Sequence, residues 1–87
     1  GTAFHDTLSS MRLDAVLAGA YRLSRTESSA LIRGGLVKLN HIPCERVDAA
    51  VEEGALLSVR GKGRVRLQSI EGLTRKQRIG VTFFRYE

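Results

Sequence analysis

Apolar and polar positions recur along this 87-residue chain with two different periods, and the change between them divides it. Between Ser10 and Arg33 the period is helical. Leu13, Val16, Leu17, Ala20 and Tyr21 fall at i, i+3, i+4, i+7 and i+8, one apolar stripe on a helix that Ser10 is placed to cap. Tyr21 belongs to the core or its edge, and Gly19, costing about 1 kcal/mol against Ala in a helix, marks close packing or fraying. A second helix opens at Ser24-Arg25-Thr26-Glu27, a capping-box pattern in which Ser24 and Glu27 satisfy each other's end. Leu31 and Ile32 face the core, while Arg25, Ser29 and Arg33 follow one another along a separate flank. Gly34-Gly35 supplies the stop.

From Leu36 onward the period is two. Leu36 to Leu39 predicts a strand, Asn40-His41 a turn, and Ile42 to Cys44 a short return that Pro43 assigns to a sheet edge. Glu45 to Glu53 reads as a polar, acidic surface connection, and Glu53-Gly54 turns into a strand over Leu56 to Arg60. Gly61-Lys62-Gly63 is a tight turn into Arg64 to Ile70, where Val65 and Leu67 alternate with Arg64, Arg66 and Gln68. One face of that strand is therefore apolar and the other basic. Gly72 to Arg78 reads as a basic loop, and Ile79, Val81 and Phe83 alternate in a last strand. Residues 1–10 lack clear periodicity, which predicts a flexible lead-in to a single domain over residues 11–87. The expected class is α+β: two short helices packed on a small, mainly antiparallel, twisted sheet.

Charge sharpens this picture. The chain carries a net +5 and 26% charged residues beside 43% hydrophobic ones, a balance that fits a folded domain rather than a disordered tail. A domain this short buries only roughly 60% of its unfolded surface, so the core is small. The charge is unevenly spread. Arg60 to Glu87 holds eight basic and two acidic residues, whereas Gly1 to Val59 nets −1. Such asymmetry favours a polyanion at one face.

Phosphate recognition needs fixed positive groups and N–H donors along a surface, and Arg suits it because its fork engages two oxygens at once. Arg12, Arg25, Arg33 and Lys38 cluster around the helical pair and the first strand. Arg60, Lys62, Arg64 and Arg66 cluster around the Gly-x-Gly turn. The open end of the second helix, at Ser24-Arg25, adds backbone N–H groups and a hydroxyl. Asp14, in the first turn of its helix, is better placed to orient a neighbouring Arg than to act as acid or base.

Catalytic chemistry is thinly represented. His5 and His41 have no regular spacing to Cys, Asp or Glu, so no metal site is expected. Cys44 stands alone and cannot form an internal disulfide, which fits a reducing compartment. Gly61-Lys62-Gly63 is too short to cradle a nucleotide. No cofactor, small-molecule substrate or membrane partner is expected. Phe84 and Tyr86 share the face opposite Phe83, where they can stack on bases or meet a partner domain. With so few aromatics beside the basic groups, recognition through RNA shape and backbone is favoured over single-strand stacking.

Arg12-Leu13-Asp14, Leu23-Ser24-Arg25-Thr26, Leu31 through Asn40, and Val51-Glu52-Glu53-Gly54 together resemble the S-four RNA-binding domain, the αL motif of ribosomal protein S-four. The likeness runs from about Met11 to Arg60. Beyond it, Val59 to Arg64 and the basic stretch before the last strand resemble the C-terminal end of YlmH-like ribosome-associated proteins. That family usually has Asn-Gly at the turn where His41 follows Asn40 here. The resemblance implies non-catalytic binding of structured RNA, ribosomal RNA or tRNA on the large ribosomal subunit, with a part in rescuing stalled ribosomes. The RNA surface it implies comprises Arg12, Ser24, Arg25, Thr26, Arg33, Lys38 and Asn40; Ser29, Arg60, Lys62, Arg64 and Arg66 extend it. It further implies a larger N-terminal region ahead of this domain, in keeping with a start at Gly-Thr-Ala without Met. A cytoplasmic location, or an organellar stroma or matrix, follows. Two alternatives remain open: an RNA-guiding appendage of a pseudouridine synthase or RNA methyltransferase, and a protein-interaction module using Phe84 and Tyr86.

Overall fold

The change of period falls where helices give way to strands in the computed structural model, which describes all of residues 1–87. The chain runs β1 (Thr2–Leu8), α1 (Leu13–Tyr21), α2 (Arg25–Arg33), β2 (Val37–Leu39), β3 (Ile42–Pro43), β4 (Leu56–Val59), β5 (Gly63–Leu73) and β6 (Ile79–Arg85). The strands form one sheet in the order β1-β6-β5-β4-β2-β3, antiparallel throughout, with the helical pair on one face. The expected α+β class is what the structure shows. Leu13, Val16, Leu17 and Ala20 from α1 and Ile32 from α2 meet Val37, Leu57, Val59, Val65, Leu67, Val81 and Phe83 from the sheet, all buried.

The first ten residues correct the sequence reading. They hold no flexible lead-in: Thr2 to Leu8 pair with β6 along their whole length, from Thr2 opposite Arg85 to Leu8 opposite Ile79. Phe4 and Leu8 point to the helical side, with the Phe4 ring 5.4 Å from that of Phe83. Asp6 shares that side, and a charged residue at an inward position hid the alternation. Its carboxylate accepts the Thr7 N–H at 2.8 Å. Gly19 lets α1 settle onto this strand, since a Cβ there would lie 2.6 Å from a Leu8 methyl. Close packing, not fraying, is the use of that glycine.

The caps differ between the helices. The capping box of α2 is formed as predicted: Glu27 N–H donates to Ser24 Oγ and Ser24 N–H to Glu27 Oε1, both at 3.0 Å. At its other end Gly35, at φ 78°, donates to the Ile32 carbonyl while Leu36 N–H reaches that of Leu31. In α1, by contrast, Arg12 occupies the cap position without a side-chain bond, and Ser10 only accepts the Arg12 N–H at 3.3 Å. The leading amides of Leu13 and Asp14 donate to the carbonyls of Ala49 and Val47 instead. The stretch predicted as a mere surface connection is thus a tertiary cap, and Val51 within it is buried.

Two hairpins place the basic residues. Asn40 and His41 both adopt positive φ, 52° and 70°, the paired left-handed geometry of a two-residue type I′ turn. β5 is longer than predicted, reaching Leu73, and two register shifts absorb its bends. The basic loop accordingly shrinks to a tip over Thr74–Arg78, closed by Thr74 N–H to the Arg78 carbonyl at 2.7 Å.

Candidate nucleic-acid interface

Asp14 is buried where the two helices meet, and both of its carboxylate oxygens are taken by arginines. Arg12 donates through Nε to Oδ1 at 3.2 Å and through a terminal nitrogen to Oδ2 at 3.0 Å. Arg25 approaches the same Oδ2 at 3.1 Å and extends a second nitrogen to Ser9 Oγ at 3.4 Å. Burial pushes the Asp14 carboxyl up, but hydrogen bonds from Arg12 and Arg25 and their charges outweigh it, and the group is held below its usual range. The Asp14 side chain is 5% exposed while the two arginine side chains remain 48% and 49% exposed. Each arginine is fixed from beneath and open above. Ser28, buried on α2, donates to the Asp14 carbonyl at 2.8 Å and locks the helices together under this cluster.

Beside it lies the open end of α2. The Arg25 and Thr26 N–H groups have no intramolecular partner, as the first amides of a helix lack one. Ser24 Oγ is occupied by the Glu27 amide, and the Glu27 carboxylate sits at the same terminus. Hydrogen bonds from the Ser24 backbone and hydroxyl hold that carboxyl below its usual range, with the Lys62 charge adding to the effect. Lys62 lies in the β4–β5 turn, between Gly61 and Gly63.

The second cationic region is a groove of about 610 Å³ lined by Lys38, His41, Arg60 and Arg64 over a floor that includes Ser58, Gly61 and Gly63. No acidic side chain lines it. Register explains the convergence: Lys38 pairs with Ser58 and Ser58 with Arg64, so the three form one row across β2, β4 and β5. Gly35, just past the end of α2, also lines it. The two cationic regions are thus joined by α2, a length of about 14 Å at 1.5 Å per residue.

Not every candidate joins them. Asn40 Oδ1 accepts the Leu56 N–H at 2.9 Å, so its carbonyl end braces β4. Arg66 donates to Tyr86 Oη at 2.8 Å and to the Gly54 carbonyl at 2.7 Å, which commits it to the fold. Arg33 is exposed and Ser29 half-buried on α2, and neither makes a side-chain hydrogen bond. Sequence reasoning left out Arg78, which lines a second depression of about 400 Å³ together with Ser9 and Arg25. Thr7 holds it there, through Oγ1 at 3.0 Å and its carbonyl at 2.9 Å. It also left out His41, whose place in the groove depends on the turn. Nothing local in the sequence signals either position.

Residues 11–57, more than half of the chain, match the S4 domain. The chain belongs to the S4 domain family. The S4 match contains the Asp14 cluster, both helices and the β2–β3 hairpin, and it ends within β4. Over 80 residues, 92% of the chain, this S4 domain is 50% identical to the Ribosome-associated protein quality control protein P2 of Bacillus subtilis (strain 168). That similarity extends beyond the family match into the C-terminal strands, in line with the resemblance drawn from Val59 to Arg64. Over 55 residues, 63% of the chain, it is 47% identical to an uncharacterized RNA pseudouridine synthase of Mycobacterium bovis. The chain spans 31% of the length of the first relative and 18% of the second.

Proposed function

We propose that this S4 domain binds structured RNA, ribosomal RNA or tRNA, through its phosphate backbone and without catalysing a reaction. The observation that carries the reading is the buried Asp14 carboxylate, which holds the guanidiniums of two half-exposed arginine side chains in place at the open end of α2. Arginines fixed in this way lose less freedom on binding than free ones, and their outward edges suit phosphate oxygens. Arg12, Arg25 and the first amides of α2 take one stretch of backbone. Lys38, Arg60 and Arg64 take another in the groove, with Lys62 in the adjoining β4–β5 turn.

The similarity to a relative named for ribosome-associated protein quality control supports a place on the ribosome. The resemblance to YlmH-like proteins adds the large subunit, rescue of stalled ribosomes and a cytoplasmic setting. No helix is long and apolar enough to cross a membrane. The similarity to a pseudouridine synthase supports a second reading, in which the domain guides a modifying enzyme to its RNA. The full-length coding sequence discriminates, because that reading requires an attached catalytic domain.

The test is fluorescence anisotropy with labelled tRNA and a ribosomal RNA stem-loop. Arg25→Glu should weaken binding at least 10-fold, since it both removes a contact and adds a repelling charge, while the circular dichroism spectrum stays unchanged. Unchanged affinity would reject the role given to this helix end.

A further inference from the structure

We propose that Arg64 and Tyr86 form a stacking seat for one unpaired nucleobase at the end of the basic groove. This rests on the RNA-binding reading and adds a kind of contact that the backbone-directed arginines do not make. The Arg64 guanidinium carbon lies 5.4 Å from the centre of the Tyr86 ring. Arg64 is exposed, lines the groove, and spends no side-chain donor on a carboxylate or hydrogen bond within the protein. The guanidinium therefore sits beside the ring, within cation–π distance, and stays open to solvent. A base laid on it completes a stack of base, guanidinium and phenol, a combination that recognises unpaired bases of any identity.

The surroundings fix the ring that this stack needs. Arg66, tied to the Gly54 carbonyl, donates to Tyr86 Oη and lies 5.9 Å from the ring centre. Phe84 meets Tyr86 edge-on at 5.1 Å and 77°. Tyr86 N–H donates to the Arg64 carbonyl at 3.2 Å, so ring and guanidinium hang from adjoining backbone. On the other side the row continues through Ser58 to Lys38 at about 4.8 Å per strand, so phosphates seated near Lys38 lie about 10 Å from the seat. The positive, acid-free lining of the groove favours an anion, and its scarcity of apolar residues favours a nucleotide over an apolar peptide as the occupant.

The test compares two RNAs that share one stem: a hairpin with 2-aminopurine at an unpaired loop position, and a fully paired duplex. Tyr86→Leu removes the ring, and Arg64→Lys keeps the charge but removes the plane. Each should weaken hairpin binding roughly 10-fold and abolish the 2-aminopurine quenching, and Tyr86→Leu, which removes no phosphate contact, should change duplex binding less than twofold. Tyr86→Phe should retain the quenching. Equal losses on both RNAs from Tyr86→Leu, or none on either, would overturn the seat while leaving the phosphate reading intact provided Arg25→Glu still weakens binding. Failure of the unmodified domain to bind either RNA would sink both.

Discussion

Replacing Asp14 with Asn separates two explanations of the cationic surface, because they predict opposite signs. If positive charge alone governs affinity, removing a carboxylate from between Arg12 and Arg25 raises the local charge by one and should tighten RNA binding. If the carboxylate acts by fixing the arginines, binding should weaken. The size follows from the geometry. Arg12 is held by two hydrogen bonds and Arg25 by one ion pair, and both side chains are about half exposed. Once released, each must be immobilised afresh on RNA at about 0.5–1.5 kcal/mol, or about 1–3 kcal/mol for the pair, a roughly 5- to 150-fold loss. Stability should also fall, by about 2 kcal/mol after discounting for the exposed arginines, which corresponds to roughly 10 °C in Tm. Anisotropy at fixed salt and differential scanning calorimetry measure the two effects. Affinity equal to or above that of the unmodified domain would refute the positioning argument.

The remaining predictions follow from the same contacts. Because the folded Asp14 carboxyl is held below its unfolded value of 3.8, its contribution is complete above about pH 4 and is lost as pH falls through the folded pKa. The Tm difference between the unmodified domain and Asp14→Asn should therefore be constant from pH 5 to pH 7 and shrink below pH 4, as followed by thermal melts. Ser24→Ala removes the acceptor of the Glu27 amide and should cost about 1 kcal/mol by urea unfolding. His41→Gly relieves a side chain held at φ 70° and should raise stability by about 0.5–1 kcal/mol, net of the added freedom of the unfolded chain, without changing the circular dichroism spectrum. Phe83→Ala empties the centre of the core and should cost about 3–5 kcal/mol, enough to leave the domain largely unfolded at 37 °C.

Local signals proved readable where local physics decides. The Ser24–Glu27 box, the Gly34-Gly35 stop and the alternation through Val65 and Leu67 each depend on neighbours within a turn or a pleat, and each appears where the pattern placed it. What escaped depends on distant partners. β1 is legible only with β6, more than 70 positions away, and inward-facing Asp6 breaks its alternation. The first amides of α1 are satisfied by Val47 and Ala49, so no capping side chain is needed and Ser10 was a false lead. Asp14 was readable as a partner for an arginine, but that Arg25 joins Arg12 there follows from the packing of α2 against α1. For the interface, the basic residue types were evident, whereas their division into an Asp14-anchored cluster, a groove and a fold-bracing Arg66 was not. The pairing of Arg64 with Tyr86 is likewise a product of sheet register.

The most direct measurement is the dependence of RNA affinity on salt. Neutralising about six phosphates through Arg12, Arg25, Lys38, Arg60, Lys62 and Arg64 should give log affinity against log salt concentration a slope of about −4 to −5. Arg25→Ala should lower the magnitude of that slope by about one. A flat response to salt would mean that no phosphate track runs between the Asp14 cluster and the groove.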